Sequence, residues 1–174
     1  MQEIYAATPA ECSDFIVAES TMVPRQTLRN RAWTVTILIL QGPHATGGFR
    51  GADVSTSLQA TAQAAGRSLS VCTCSELREL VAHVRAASGQ DTEFMLLDPG
   101  DLTEDARAHP EEGLEDALSQ LVSPYVEVHD DSGATLESID GSRRSGPLAT
   151  IVIHGDLAAS YRIAMGIALR RLAA

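Results

Sequence analysis

The sequence predicts an α/β fold: a flavodoxin-like, doubly wound sheet of five parallel strands in three layers, with strand order 2-1-3-4-5. Three observations carry this expectation. Short apolar runs alternate with longer stretches of helical period, as parallel strands joined by right-handed crossovers require. The first run, Thr34-Val-Thr-Ile-Leu-Ile-Leu40, shows hardly any polar alternation, which fits a strand buried on both faces. It then stops at Gln41-Gly42-Pro43-His44, a turn signal at a strand's carboxyl end, where open α/β sheets bind ligands.

Residues 1–32 stand apart from this pattern. They hold few aliphatic residues at a sustained period, and read as an N-terminal arm with one short element, Ala10 to Glu19. The expected domain is 33–174. After the first strand comes Ala45-Thr-Gly-Gly-Phe-Arg-Gly51; it matches neither GxGxxG nor a Walker pattern, so a mobile loop over a site is the better reading. Val54 to Ala65 carries Val54, Leu58, Ala62 and Ala65 on one helical face and is closed by Gly66. Leu69 to Cys72 reads as a strand. Ser75 then N-caps a helix whose apolar stripe is Leu77, Leu80, Val81 and Val84.

Phe94-Met-Leu-Leu97 is the third strand, cut off by Asp98-Pro99-Gly100. A helical segment is expected around Gly113 to Leu121. Tyr125-Val-Glu-Val-His129 is the fourth strand, Leu148 to Ile153 the fifth, and Asp156 to Leu172 a long final helix.

Composition bounds the function. At 174 residues the chain can bury a sizeable core, which Leu, Ile, Val and Ala must fill because only 4% of residues are aromatic. A net charge of −10 disfavours nucleic acid as a partner. No run approaches the roughly 18 apolar residues of a membrane span, and no secretory signal opens the chain, so the cytoplasm is the expected compartment. All 13 basic residues are Arg, which excludes Schiff-base catalysis and a Walker-type lysine. Cys72-Thr-Cys74 would place two thiols on one strand face; two small buried residues is the simpler reading beside half a metal site.

The polar residues at strand carboxyl ends are those that converge in space. They are Gln41 and His44, then Asp98, then Glu127 and His129, with His154 a further candidate. Glu127 and His129 lie two apart on a strand, so both point to one face; the carboxylate can orient the ring and raise its basicity. His129 is therefore the leading general acid or base, with His44 and Asp98 expected nearby. Such a set calls for no metal and no redox cofactor.

With these residues in place the chain resembles type II 3-dehydroquinate dehydratase, from residue 34 to about 172. Ile37-Leu-Ile-Leu-Gln-Gly-Pro-His44 stands for the family's ILVLNGPN, Glu79-Leu-Val81 for GELV and Leu97-Asp-Pro-Gly100 for INPG. Val126-Glu-Val-His129 stands for VEVH, and Ser160-Tyr-Arg-Ile-Ala164 for GYRLA. The resemblance implies a homo-oligomer, trimer or dodecamer, acting on a small-molecule ligand without a cofactor. It also implies that His129, oriented by Glu127, works on the leaving-hydroxyl side of a ring.

The departures from the family are as informative. The opening loop is shortened and lacks the tyrosine base, although Arg50 can occupy the arginine's place. His44 and Asp98 replace two asparagines, and Glu76 stands where a substrate-binding histidine is expected. Ala82 replaces an aspartate that reaches a neighbouring subunit, and Asp130-Asp131 replaces the Leu-Ser pair that grips a carboxylate. Two later arginines fall on Leu136 and Asp140. The expectation is a repurposed enzyme of specialised metabolism, with His129, Glu127, His44 and Asp98 in catalysis and Gln41, Arg50, Glu76, Asp130 and Asp131 binding substrate. It would act as a dehydratase, lyase, cyclase or isomerase on a small polar cyclic metabolite other than 3-dehydroquinate. Two alternatives remain: an inactive binding or regulatory protein, and a genuine dehydroquinate dehydratase whose base is relocated, for example to Tyr5.

Overall fold

A computed structural model describes residues 37–44, 52–88, 92–130, 136 and 146–174. Five strands form one sheet: β1 (Ile37–Gln41), β2 (Leu69–Thr73), β3 (Phe94–Asp98), β4 (Tyr125–His129) and β5 (Thr150–Val152). Its order is β2-β1-β3-β4-β5 and every pairing is parallel, as the sequence predicts. The helices are α1 (Ala52–Ala64), α2 (Leu77–Ala87), α3 (Leu102–Ala108), α4 (Leu114–Ser119) and α5 (Leu157–Leu172).

Strand alternation sorts the core onto two faces. Ile37, Ile39, Phe94, Leu96, Val126 and Val128 pack with Leu58 and Ala62 of α1 and with Ala164, Met165 and Ala168 of α5. Leu38, Leu40, Met95, Leu97 and Tyr125 face α2 and α4, together with Cys72 and Cys74. The two cysteines are thus core residues. Because the central strands meet helices on both sides, the whole of β1, β3 and β4 is buried; β1 and β3 are apolar up to their last residue, whereas β4 alternates, with Glu127 and His129 buried on one face.

Boundaries differ from expectation at a few points. Residues 34–36 and the segment Ala10 to Glu19 lie outside the described residues. The cap of α2 is Glu76, one residue beyond the expected Ser75. Ser75 instead donates from its backbone N–H and its hydroxyl to the Glu79 carboxylate, at 2.8 and 3.1 Å, bracing the first turn from outside. Helix α3 has no counterpart in the sequence reading, since Leu102 and Thr103 alone are buried in it and no apolar stripe marks it. Asp156 caps α5 by accepting from the Ala159 N–H at 2.9 Å, and Arg170 and Arg171 meet its carboxyl end, where the helix dipole favours cations. Among the described residues, no helix is long and apolar enough to cross a membrane.

Candidate active site

The strand order reverses direction between β1 and β3, and in open sheets of this order the ligand crevice lies at that switch point. Gln41 and Asp98 are register partners there, the last residues of their strands. The two turns that follow are pressed together backbone to backbone. Gly42 N–H donates to the Asp98 carbonyl at 2.7 Å, and Asp101 N–H donates to the Pro43 carbonyl at 2.8 Å. A Cβ on Gly42 would stand 2.0 Å from Pro99 O, and one on Gly100 2.1 Å from Pro43 O. Gly100 also has φ of +54°, which favours glycine. The two glycines are what this approach demands, and the approach seats His44 over Asp98.

Asp98 is fully buried and is the hub of the site. Its Oδ2 takes three contacts: Tyr161 Oη donates at 2.6 Å, His44 Nε2 lies at 2.9 Å, and Gln41 Nε2 reaches only to 3.5 Å. Its Oδ1 takes no hydrogen bond among the described residues. On the far side of the ring, His44 Nδ1 lies 3.7 Å from Asp130 Oδ2. The hydrogen bond to Asp98 is the main cause that raises the His44 pKa above its ordinary 6.5; burial opposes it, and the charges of Asp98, Asp130 and Asp101 add to it. His44 is therefore biased towards the imidazolium, which donates from both nitrogens. Burial, then the charge of Asp98 and the hydrogen bond to it, holds the Tyr161 proton well above the usual phenol range, so Tyr161 is a donor at any physiological pH.

Glu127 and His129 stand elsewhere. Glu127 pairs in register with Leu97, so it shares Leu97's face while Asp98 points to the other. Both are buried on the α2–α4 face, with His129 Nε2 3.4 Å from Glu127 Oε2. His129 Nδ1 is buried and takes no hydrogen bond among the described residues. Ser160 of α5 reaches the strand from the opposite side and donates to the His129 carbonyl at 3.2 Å. The structure thus joins His44, Asp98, Gln41 and Asp130, and places Glu127 and His129 at the same sheet edge on the reverse face.

The remaining candidates scatter. Glu76 is exposed at the start of α2 and makes no capping hydrogen bond. His154 is exposed in the turn after β5, and His109 pairs with Glu111 on the surface at 3.0 Å. Arg50 and Asp131 lie outside the described residues. Sequence reasoning missed Tyr161 as a site residue. Its signals were its place in the Ser160-Tyr-Arg-Ile-Ala164 motif and its being the one aromatic residue of the final helix.

Comparison with known proteins agrees with this architecture. Residues 35–169 match the family described as Dehydroquinase class II. A 3-dehydroquinate dehydratase of Nitrosomonas europaea is 33% identical over 119 residues, covering 68% of this chain and 79% of that protein. One of Stenotrophomonas maltophilia is 31% identical over 140 residues, covering 80% and 92%. The type II dehydroquinase structure from Propionibacterium acnes superposes with a TM-score of 0.59 at 21% identity, covering 78% of this chain and 98% of its own. A 3-dehydroquinate dehydratase-like protein from Bifidobacterium longum gives 0.55 at 19% identity, covering 79% and 98%. On the strength of the matched sequence, and with a fold that agrees, this chain belongs to the class II dehydroquinase family.

Proposed function

We propose that the chain is an acid/base enzyme, a dehydratase, lyase, cyclase or isomerase, acting on a small polar cyclic metabolite other than 3-dehydroquinate. The observation that carries this reading is His44 held between two carboxylates, Asp98 at 2.9 Å and Asp130 at 3.7 Å, at the switch point of the sheet. Two carboxylates at the mouth of a site repel a carboxylate and suit a neutral or cationic ring. His129, oriented by Glu127, and His44, paired with Asp98, are then the two proton-transfer groups. A ring lying over the ends of β3 and β4 meets one from each face of the sheet. In an elimination, one imidazole takes a proton from carbon while the other, protonated, gives its proton to the departing hydroxyl, which leaves as water. The same reading takes the protein to be a homo-oligomer, trimer or dodecamer, and a sedimentation mass equal to the monomer contradicts it.

The test is NMR in deuterated buffer with a panel of neutral and cationic cyclic polyols and hydroxyketones. Elimination, or deuterium exchange at carbon, is expected with the native protein and not with His129→Ala. Ligands that bind without any exchange would make the protein a binder and overturn the enzymatic reading.

A second reading is favoured by the relatives, three of which are named 3-dehydroquinate dehydratase and share 30–33% identity with this chain. Here the substrate is 3-dehydroquinate itself and the base is relocated, with Tyr5 the candidate. Turnover of 3-dehydroquinate that is lost in Tyr5→Phe supports this version, and an unchanged rate in that variant removes it.

A further inference from the structure

Tyr161 and His44 meet the same atom. Both lie within hydrogen-bond distance of Asp98 Oδ2, at 2.6 and 2.9 Å, while Asp98 Oδ1 accepts nothing among the described residues. A carboxylate with both oxygens engaged can give each donor its own acceptor. This one makes its two nearest donors share. All the parties are shielded from water, because Asp98 and Tyr161 are fully buried and the His44 side chain is 3% exposed. In such surroundings the charge an oxygen lends to one donor is felt by the other.

We propose that Tyr161 is a positioning residue of the site, whose phenol, by sharing Asp98 Oδ2 with His44, holds the carboxylate in place and limits how strongly it draws a proton onto the imidazole. The phenol comes from α5 and the imidazole from the turn after β1, so the final helix acts on the site through a single oxygen. The proposal rests on the reading of His44 as a proton-transfer group, yet its geometry does not need the substrate to be known. A group whose task is to hand over a proton must not hold it too tightly, and a fully unshared buried carboxylate would make it do so. The charged groups facing His44 among the described residues are Asp98 on β3, Asp101 ahead of α3 and Asp130 beyond β4. All three favour the imidazolium. Tyr161, at 2.6 Å, is the nearer of two neutral donors set against the strongest of them, the other being Gln41 at 3.5 Å.

The sign of the effect distinguishes this from a packing role. Tyr161→Phe keeps the ring and deletes only the hydroxyl, leaving Asp98 Oδ2 to His44 and the long Gln41 contact at 3.5 Å. The His44 pKa, followed by NMR titration of its ring protons in the full chain, is expected to rise. Asp98→Asn removes the carboxylate charge, and the His44 pKa is expected to fall. The double variant is expected to titrate like Asp98→Asn, because the phenol acts only through the carboxylate. Replacing all tyrosines with 3-fluorotyrosine gives a stronger donor without deleting any atom of the ring, and is expected to lower the His44 pKa. This fluorinated protein keeps the test decisive if Tyr161→Phe fails to fold. A His44 titration unmoved by either change at Tyr161 overturns the proposal, whatever the protein does with substrates. Failure of the enzymatic reading would show instead as absent turnover with these titration shifts intact.

Discussion

Leu97 and Glu127 are register partners across β3 and β4, and that single pairing puts Asp98 and His129 on opposite faces of the sheet. The consequence is two half-sites at one edge. One is a carboxylate–imidazole–phenol cluster on the α5 face, and the other is a carboxylate–imidazole pair on the α2–α4 face. Their side chains point to opposite faces of the sheet, while the backbone joins them: Asp130, which faces His44, follows His129, and Ser160, beside Tyr161, donates to the His129 carbonyl.

The two half-sites are therefore expected to be energetically independent in the absence of ligand. In a double-mutant cycle, the unfolding free energies of His44→Gln and His129→Ala should add to within about 0.3–0.5 kcal/mol, as for residues with no shared partner. Urea unfolding of the four proteins measures this. A coupling well above that range would mean that the halves communicate through the sheet.

The seat of His44 depends on two glycines. Gly42→Ala would put a methyl group 2.0 Å from Pro99 O, a backbone atom that cannot swing aside. The expected cost is roughly 1–3 kcal/mol, typical of forcing extra atoms into a packed site. Denaturant unfolding reads the loss, and the His44 resonances should show the ring displaced from Asp98.

Folding raises the His44 pKa above 6.5, so the folded chain holds that proton more tightly than the unfolded one. The stabilisation this provides is complete below pH 6.5 and is lost as the pH climbs through the higher folded value. His44→Gln removes it. The difference in melting temperature between native protein and variant is expected to be largest near about pH 6 and to narrow by about pH 9. A difference constant with pH would mean that His44 is not the titrating group.

Glu127→Gln keeps the shape of its side chain and removes the charge that orients His129. On the proposed substrate class it should lower kcat by roughly 10²–10⁴-fold, the range expected for one acid/base group. Rates at saturating ligand for Glu127→Gln and the native protein check this. An equal rate would remove Glu127 from the orientation of His129.

The fold was legible because its central strands advertise themselves. Runs such as Ile37-Leu-Ile-Leu40 and Phe94-Met-Leu-Leu97 admit no polar residue where helices cover both faces, and each run ends in a turn written with Gly and Pro. Helix α3 was invisible for the opposite reason, since Leu-Thr-Glu-Asp-Ala-Arg-Ala buries too little to leave a stripe. The strand ends named His44, Asp98, Glu127 and His129 correctly as neighbours of the edge. Their division between faces was hidden, because the parity of a strand pair follows from register, and a shift of one residue reverses it. Tyr161 was hidden too: its partner Asp98 lies 63 residues away, and only the packing of α5 on the sheet brings them together.

The central claim is that carboxylates around His44 have turned the site away from an anionic ring, and one assay addresses it most directly. Correctly assembled protein is incubated with 3-dehydroquinate, and the conjugated enone product is followed by its absorbance. No turnover is expected. Robust turnover would contradict the claim, and would mean that another group of the chain serves as base for the dehydratase reaction of the relatives.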